Sequence, residues 1–145
     1  MILNVYDAVN LPSSKINLDI VNFLFKHLDQ YGDDKELIEK ALDYALKKQP
    51  SFGGYIITIV DEQEIVGATV VNKTGMDGYI PENILVYIAI HKDFRGKGIG
   101  KKLMSRAIEM SNGDIALHVE PDNPAKILYE KLGFKNKYLE MRLIN

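Results

Sequence analysis

The spacing of apolar positions changes repeatedly along the chain, and each change marks a change of element. Ile2 to Val9 reads as a short strand. From about Asn17 to Gln30, Ile20, Val21, Leu24 and Leu28 fall on one helical face. In the following segment Asp33 and Glu36 resemble a capping box, and Leu37, Ile38, Ala41, Leu42 and Ala45 repeat at helical spacing until Pro50. Gly53-Gly54 then opens a β-rich stretch. YIITIV (55–60) and IVGATVV (65–71) flank the polar run Asp61-Glu62-Gln63-Glu64, which predicts a hairpin with a four-residue loop. After a loop over 73–83, ILVYIAI (84–90) is apolar on both faces, the pattern of a central strand covered on both sides.

Beyond Ile90 helix and strand alternate. A helix is predicted from about Gly98 to Ser111, with Ile99, Leu103, Ala107 and Ile108 inward and Asn112-Gly113 as its stop. IALHV (115–119) alternates as a strand. Pro124 suits the first turn of a short helix whose Ala125, Leu128, Tyr129 and Leu132 share a face. Tyr138 to Ile144 reads as a closing strand with Leu139, Met141 and Leu143 on one side. There is no internal repeat and no break in composition. The expectation is one α/β domain over residues 1–145, antiparallel in its first half and βαβ in its second.

Composition narrows the chemistry more than the fold. The 145 residues carry 18 basic and 20 acidic side chains, a net charge of −2, so no global basic field is available for duplex nucleic acid. There is no cysteine, hence no disulfide framework and no thiol nucleophile. His27, His91 and His118 show no zinc-type spacing, and no metal is expected. The start MILNVYDAVN lacks the basic flank and apolar run of a secretion signal, and Ile84–Ile90 is far too short to span a bilayer. A cytoplasmic protein without membrane contact is expected.

One segment departs from the average. From Lys92 to Arg106 there are six basic residues and a single acid, Asp93, around Gly96, Gly98 and Gly100. Glycines at a helix start let successive N–H groups close on an anion, and the helix dipole adds to the attraction. A phosphorylated ligand fits this charge. The spacing is not that of a P-loop, since Lys102 follows Gly100-Lys101 where Ser or Thr is needed. G-x-G-x-G after several earlier strands is not the dinucleotide fingerprint either. The structural alternative is a glycine turn beside a solvated basic helix face.

Arg95 to Gly100, RGKGIG, fits R/Q-x-x-G-x-G/A and resembles the acetyl-CoA loop of the GNAT (GCN5-related) N-acetyltransferases. The likeness continues through IAI (88–90) before it and DNPAKILYEKLGF (122–134) after it, about Ile84 to Phe134 in all. It implies a GNAT-like fold, a mixed and mostly antiparallel central sheet flanked by helices, in the order β-α-α-β-β-β-α-β-α-β. It also implies roles. The strand Ile88-Ala89-Ile90 would hold the pantetheine arm through the backbone groups of Ile88 and Ile90, and an N–H there would polarise the thioester. Amides of Arg95, Gly96, Lys97, Gly98, Ile99, Gly100 and Lys101 would cradle the diphosphate. Asn123 would bond the cofactor near its pantetheine end, and Tyr129 would protonate the departing thiolate.

The lack of cysteine fits direct transfer from acetyl-CoA to a primary amine of a small molecule, peptide or protein. The general base is open among His118, five residues before Asn123, Glu82 on the approach to the central strand, and water or an already neutral amine. Ile84 stands where histone-type members carry a carboxylate. That absence motivates a competing reading, a CoA-binding sensor or interaction module without transfer. A nucleotide-binding α/β domain is a third reading. Asp29, Asp33, Asp34, Glu36 and Glu39 favour a cationic acceptor, or simply form a solvated helix face. Exposed strand edges would permit a homodimer.

Overall fold

Strand β2 (Gly54–Asp61) and strand β3 (Glu64–Lys73) form the hairpin around which the rest assembles. Their turn is the two residues Glu62-Gln63, both at positive φ (48° and 68°), not the expected four-residue loop. Two left-handed residues match the twist of the flanking strands, so each strand runs further than its apolar core suggests. β1 (Ile2–Tyr6) pairs antiparallel with β2, and β4 (Asn83–Ile90) pairs antiparallel with β3. β5 (Ile115–Leu117) adds parallel to β4, giving the sheet order β1-β2-β3-β4-β5. The mixed, mostly antiparallel sheet is as expected, with β3 rather than β4 at its centre. The computed structural model describes residues 1–145.

Helices α1 (Ser14–Leu28) and α2 (Lys35–Ala45) cover one face. Ile20, Leu24, Ile38 and Leu42 pack there on Ile56, Ala68 and Val70, all fully buried. α1 begins before Asn17 because the Ser13 hydroxyl accepts from the Ile16 N–H and caps it. The capping box expected at Asp33 does not form. Asp34 is the residue before α2, and the Asp33 carboxylate is taken by the Tyr87 hydroxyl. Helices α3 (Ile99–Met110) and α4 (Ala125–Lys131) cover the other face, with Ile99, Leu103, Met104 and Ala107 on Tyr55, Ile57, Val66 and Leu85.

The closing strand over Tyr138–Ile144 is not formed. Residues 135–145 make no backbone–backbone hydrogen bond, and Tyr138, Leu139, Met141, Leu143 and Ile144 are 80–91% exposed. Alternation assigns faces, but a strand exists only with a ladder partner. No helix is long and apolar enough to cross a membrane.

Candidate functional site

β4 has two unlike edges. Against β3 it stays paired through Ile90, whereas against β5 it is paired only from Asn83 to Leu85. The parting coincides with a bulge. The β3 partners step from Val70↔Tyr87 to Val71↔Leu85, leaving Val86 as the extra residue. A bulge bends the strand and re-aims its side chains. Leu85, Ile88 and Ile90 accordingly pack toward α3 and α4, and Val86, Tyr87 and Ala89 toward α1 and α2. This is why β5 ends at Leu117, short of the expected Val119.

Peptide groups alternate in direction along a strand. The His91 N–H donates to the Val66 carbonyl on β3 at 2.8 Å, and the Tyr87 carbonyl accepts from the Thr69 hydroxyl at 2.8 Å. The peptide groups of Ile88 and Ile90 therefore face the gap, where no strand meets them. Arg95 Nε donates to the Ile90 carbonyl at 3.4 Å.

A 3-10 turn, Lys92–Phe94, leads from β4 into the glycine loop. Gly96 and Gly98 stand at φ 77° and 81°, and nothing lies within 4 Å of where a Cβ would be. These glycines serve backbone conformation, not crowding. No side chain caps Gly98, and the first intrahelical bond of α3 runs from Lys102 to Gly98. The N–H groups ahead of it thus lack helical partners at the positive end of the dipole, and Lys97, Lys101 and Lys102 lie exposed around them.

Across the gap, His118 follows β5, exposed and without a hydrogen bond. The Asn123 Oδ1 accepts from the Ala125 N–H at 2.9 Å at the entry to α4, while its amide NH2 has no partner in the chain. Tyr129 is 6% exposed and shares its cluster with Ile88 and Ile90 of β4 and with Leu117 and Val119 on the β5 arm. Its ring lies 5.9 Å from Phe134. Its hydroxyl makes no hydrogen bond with the protein, and burial pushes the phenol up to about 12. It keeps its proton throughout the neutral range.

Glu82 sits at the closed end of β4. Its Oε1 accepts from the Asp114 N–H at 2.8 Å and its Oε2 from the Gly78 N–H at 2.9 Å. Those bonds, Asp114 first, hold its carboxyl below the usual carboxylate range. The structure gathers Ile88, Ile90 and Tyr129 in one cluster with the start of α3 beside them, keeps Asn123 at the entry to α4, and places Glu82 beyond the paired end of β4.

Sequence reasoning counted Asp33 only as a cap and among several acids, and missed both its partner and Tyr31, in the loop between α1 and α2. Asp33 Oδ2 accepts from the Tyr87 hydroxyl on β4 at 2.5 Å, and the Tyr31 hydroxyl donates to the Asp122 carbonyl at 3.4 Å. This loop therefore touches both arms of the gap from the α1/α2 face. Burial, and then Asp33, push the Tyr87 phenol well above its ordinary value. Nothing in local spacing announces these pairs, which join residues 54 and 91 positions apart.

A family model described as an acetyltransferase (GNAT) domain matches residues 53–136, from β2 through α4. N-alpha-acetyltransferase 30 of Schizosaccharomyces pombe is 28% identical over 96 residues, covering 63% of this chain and 62% of that protein. The chain spans from 7% to 62% of the length of the curated relatives it matches. Among solved structures, a transcriptional regulator from Bacillus halodurans C-125 superposes with a TM-score of 0.72 at 20% identity, over 99% of this chain and 100% of that one. An aminoglycoside N-acetyltransferase in complex with CoA superposes with a TM-score of 0.71 at 12% identity, over 99% and 93%. At these identities the superpositions establish a shared fold.

Proposed function

Because the chain belongs to the GNAT acetyltransferase domain family, we propose that it moves an acetyl group from acetyl-CoA directly to a primary amine of a small molecule, peptide or protein. Residues 1–145 act in this reading as one domain, in the cytoplasm. One observation carries it: the stretch of β4 beyond Leu85, unpaired toward β5, leads straight into the glycine loop.

Acetyl-CoA is the cosubstrate, and it supplies the thioester-activated acetyl group. Unsatisfied peptide groups on an inner strand are costly, so the open edge is best explained as the seat of an extended ligand. Ile88 and Ile90 take the pantetheine arm there as if it were an added strand, with Ala89 tying β4 back to β3. An N–H on that edge polarises the thioester carbonyl. The amides from Arg95 to Lys101 hold the diphosphate, and the free amide of Asn123 bonds the arm from the other side. As the amine nitrogen forms the C–N bond and the C–S bond breaks, Tyr129 gives its proton to the sulfur. The proton lost by the amine leaves through His118 or water, and Tyr129 is reprotonated from solvent. His118 suits the role of base better than Glu82, whose two oxygens are both engaged by backbone donors. The amine approaches past Tyr31 and Asp33, on the face opposite α3 and α4. The name of the relative N-alpha-acetyltransferase 30 supports an amine acceptor.

The test measures CoA thiol release with a panel of small amines, peptide N-termini and lysine peptides, alongside the melting-temperature shift on adding acetyl-CoA. Stabilisation with turnover on at least one acceptor is expected. Stabilisation without turnover on any of them transfers the protein to the CoA-binding sensor reading. A shift with ATP and none with acetyl-CoA removes both.

A further inference from the structure

His27 has no part in the proposed reaction, yet it is the histidine that the fold buries, 5% exposed in the last turn of α1. Its ring belongs to a column. Phe23 lies 4.7 Å from it and His91 lies 4.4 Å away on the other side, with Phe94 5.4 Å beyond His91. His91 and Phe94 belong to the segment that enters the glycine loop.

Two hydrogen bonds fasten that segment to the same residue. The Lys92 N–H donates to His27 Nδ1 at 3.3 Å, and Arg95 Nη2 donates to the His27 carbonyl at 3.2 Å. A helix leaves its last four carbonyls without helical partners, and Arg95 satisfies one of them at the end of α1. The same guanidinium reaches the Ile90 carbonyl through Nε. Arg95 thereby joins the end of α1 to the open edge of β4. The exposed pair Lys92–Asp29 (3.9 Å) adds little energy, and Glu64 lies 3.3 Å from His91 Nε2 at the rim of the cluster. Burial first, then the neighbouring His91, Lys26, Lys92 and Arg95, hold the His27 pKa down to about 4. Its ring is neutral near pH 7, which leaves Nδ1 an acceptor.

We propose that His27 is a positioning residue for the cofactor: it anchors both Lys92 and Arg95 to α1, so that the glycine-loop amides are already ordered when the diphosphate arrives. This rests on the acetyl-CoA reading above. A loop ordered in advance avoids the entropic cost of ordering on binding, so the benefit falls on cofactor affinity.

The experiment compares KM for acetyl-CoA with KM for acetyl-pantetheine, which lacks the diphosphate, in wild type, His27→Phe and His27→Asn. Phenylalanine keeps the ring column and removes the acceptor, whereas asparagine offers an oxygen acceptor. Loss of the bond and of the order it holds predicts about a 10-fold rise in KM for acetyl-CoA in His27→Phe. The kcat and the KM for acetyl-pantetheine stay near wild type, and His27→Asn recovers much of the loss. An equal rise for both thioesters, or none for either, overturns the proposal. Hydrogen exchange in the free protein reads the anchor without any ligand. The Lys92 amide is expected to exchange slowly in wild type and faster in His27→Phe, and an unprotected amide in wild type overturns the proposal even where the variant fails to fold. A wild-type protein that binds no acetyl-CoA refutes the functional reading itself, an outcome visible before any variant is compared.

Discussion

The two edges of β4 are made of the same residues and meet opposite fates. Toward β3 the strand is zipped from Asn83 to Ile90, and toward β5 it is released after Leu85. The zipped seam carries stability, with Ala68 and Val70 fully buried against α1 and α2. The released seam is the one on which the proposed reaction rests, because there the peptide groups of Ile88 and Ile90 meet no partner strand. A bulge of a single residue, Val86, separates the two regimes. A strand's apolar pattern thus says which faces are covered and says nothing of which edges are closed.

Proline substitutions break the comparison most directly. Ala89→Pro removes a donor facing β3 and is expected to cost about 3 kcal/mol or more, read from the urea midpoint. Ile88→Pro removes a donor facing the gap, so most stability should remain while acetyl-CoA affinity drops at least about tenfold, one lost backbone bond plus strain on the arm. Equal destabilisation by both would contradict the asymmetry. Next in size, Tyr129→Phe should lower kcat about 100-fold while the KM for acetyl-CoA and the melting temperature stay near wild type. Full turnover in that variant would remove the acid assignment.

Gly98→Ala places a side chain at φ 81° and should cost about 1–2 kcal/mol, with a raised KM for acetyl-CoA. An unchanged melting temperature would mean that the loop relaxes elsewhere. The smallest effect is a pH dependence. The folded pKa of His27, about 4, lies below its unfolded value of 6.5. Its contribution is therefore full above pH 6.5 and is lost as pH falls through 4, because the unfolded state binds the proton first. The depressed Glu82 carboxyl acts in the same direction at acid pH, so the comparison is between wild type and His27→Asn. The wild type should lose more of its stability between pH 7 and pH 4 than the variant does. Parallel urea midpoints across that range would rule the contribution out.

Most of the fold was legible because its signals are local. Helical spacing located α1 to α4, and short apolar runs bounded by turn residues located β1 to β5, each to within a few residues. The glycine turn ahead of α3 was legible because its residues are consecutive, and Gly96 and Gly98 do stand at positive φ there. The errors share a cause. The Asp33 capping box was plausible at short range, but the carboxylate found a buried phenol 54 residues away. The closing strand had the right alternation in Leu139, Met141 and Leu143, but no partner edge received it. Nothing local to His27 announces its contacts, which lie 65 and 68 positions along the chain.

The sequence by itself determined where most helices and strands lie and where the basic charge concentrates, because each depends on neighbours a few residues apart, and its lack of cysteine leaves no protein thiol to take part. Only the tertiary structure decided where β4 and β5 separate, which peptide groups stay unpaired, and that His27 and Arg95 brace the loop. Pairing, burial and anchoring are relations between distant segments, and their free energy exists only once those segments meet.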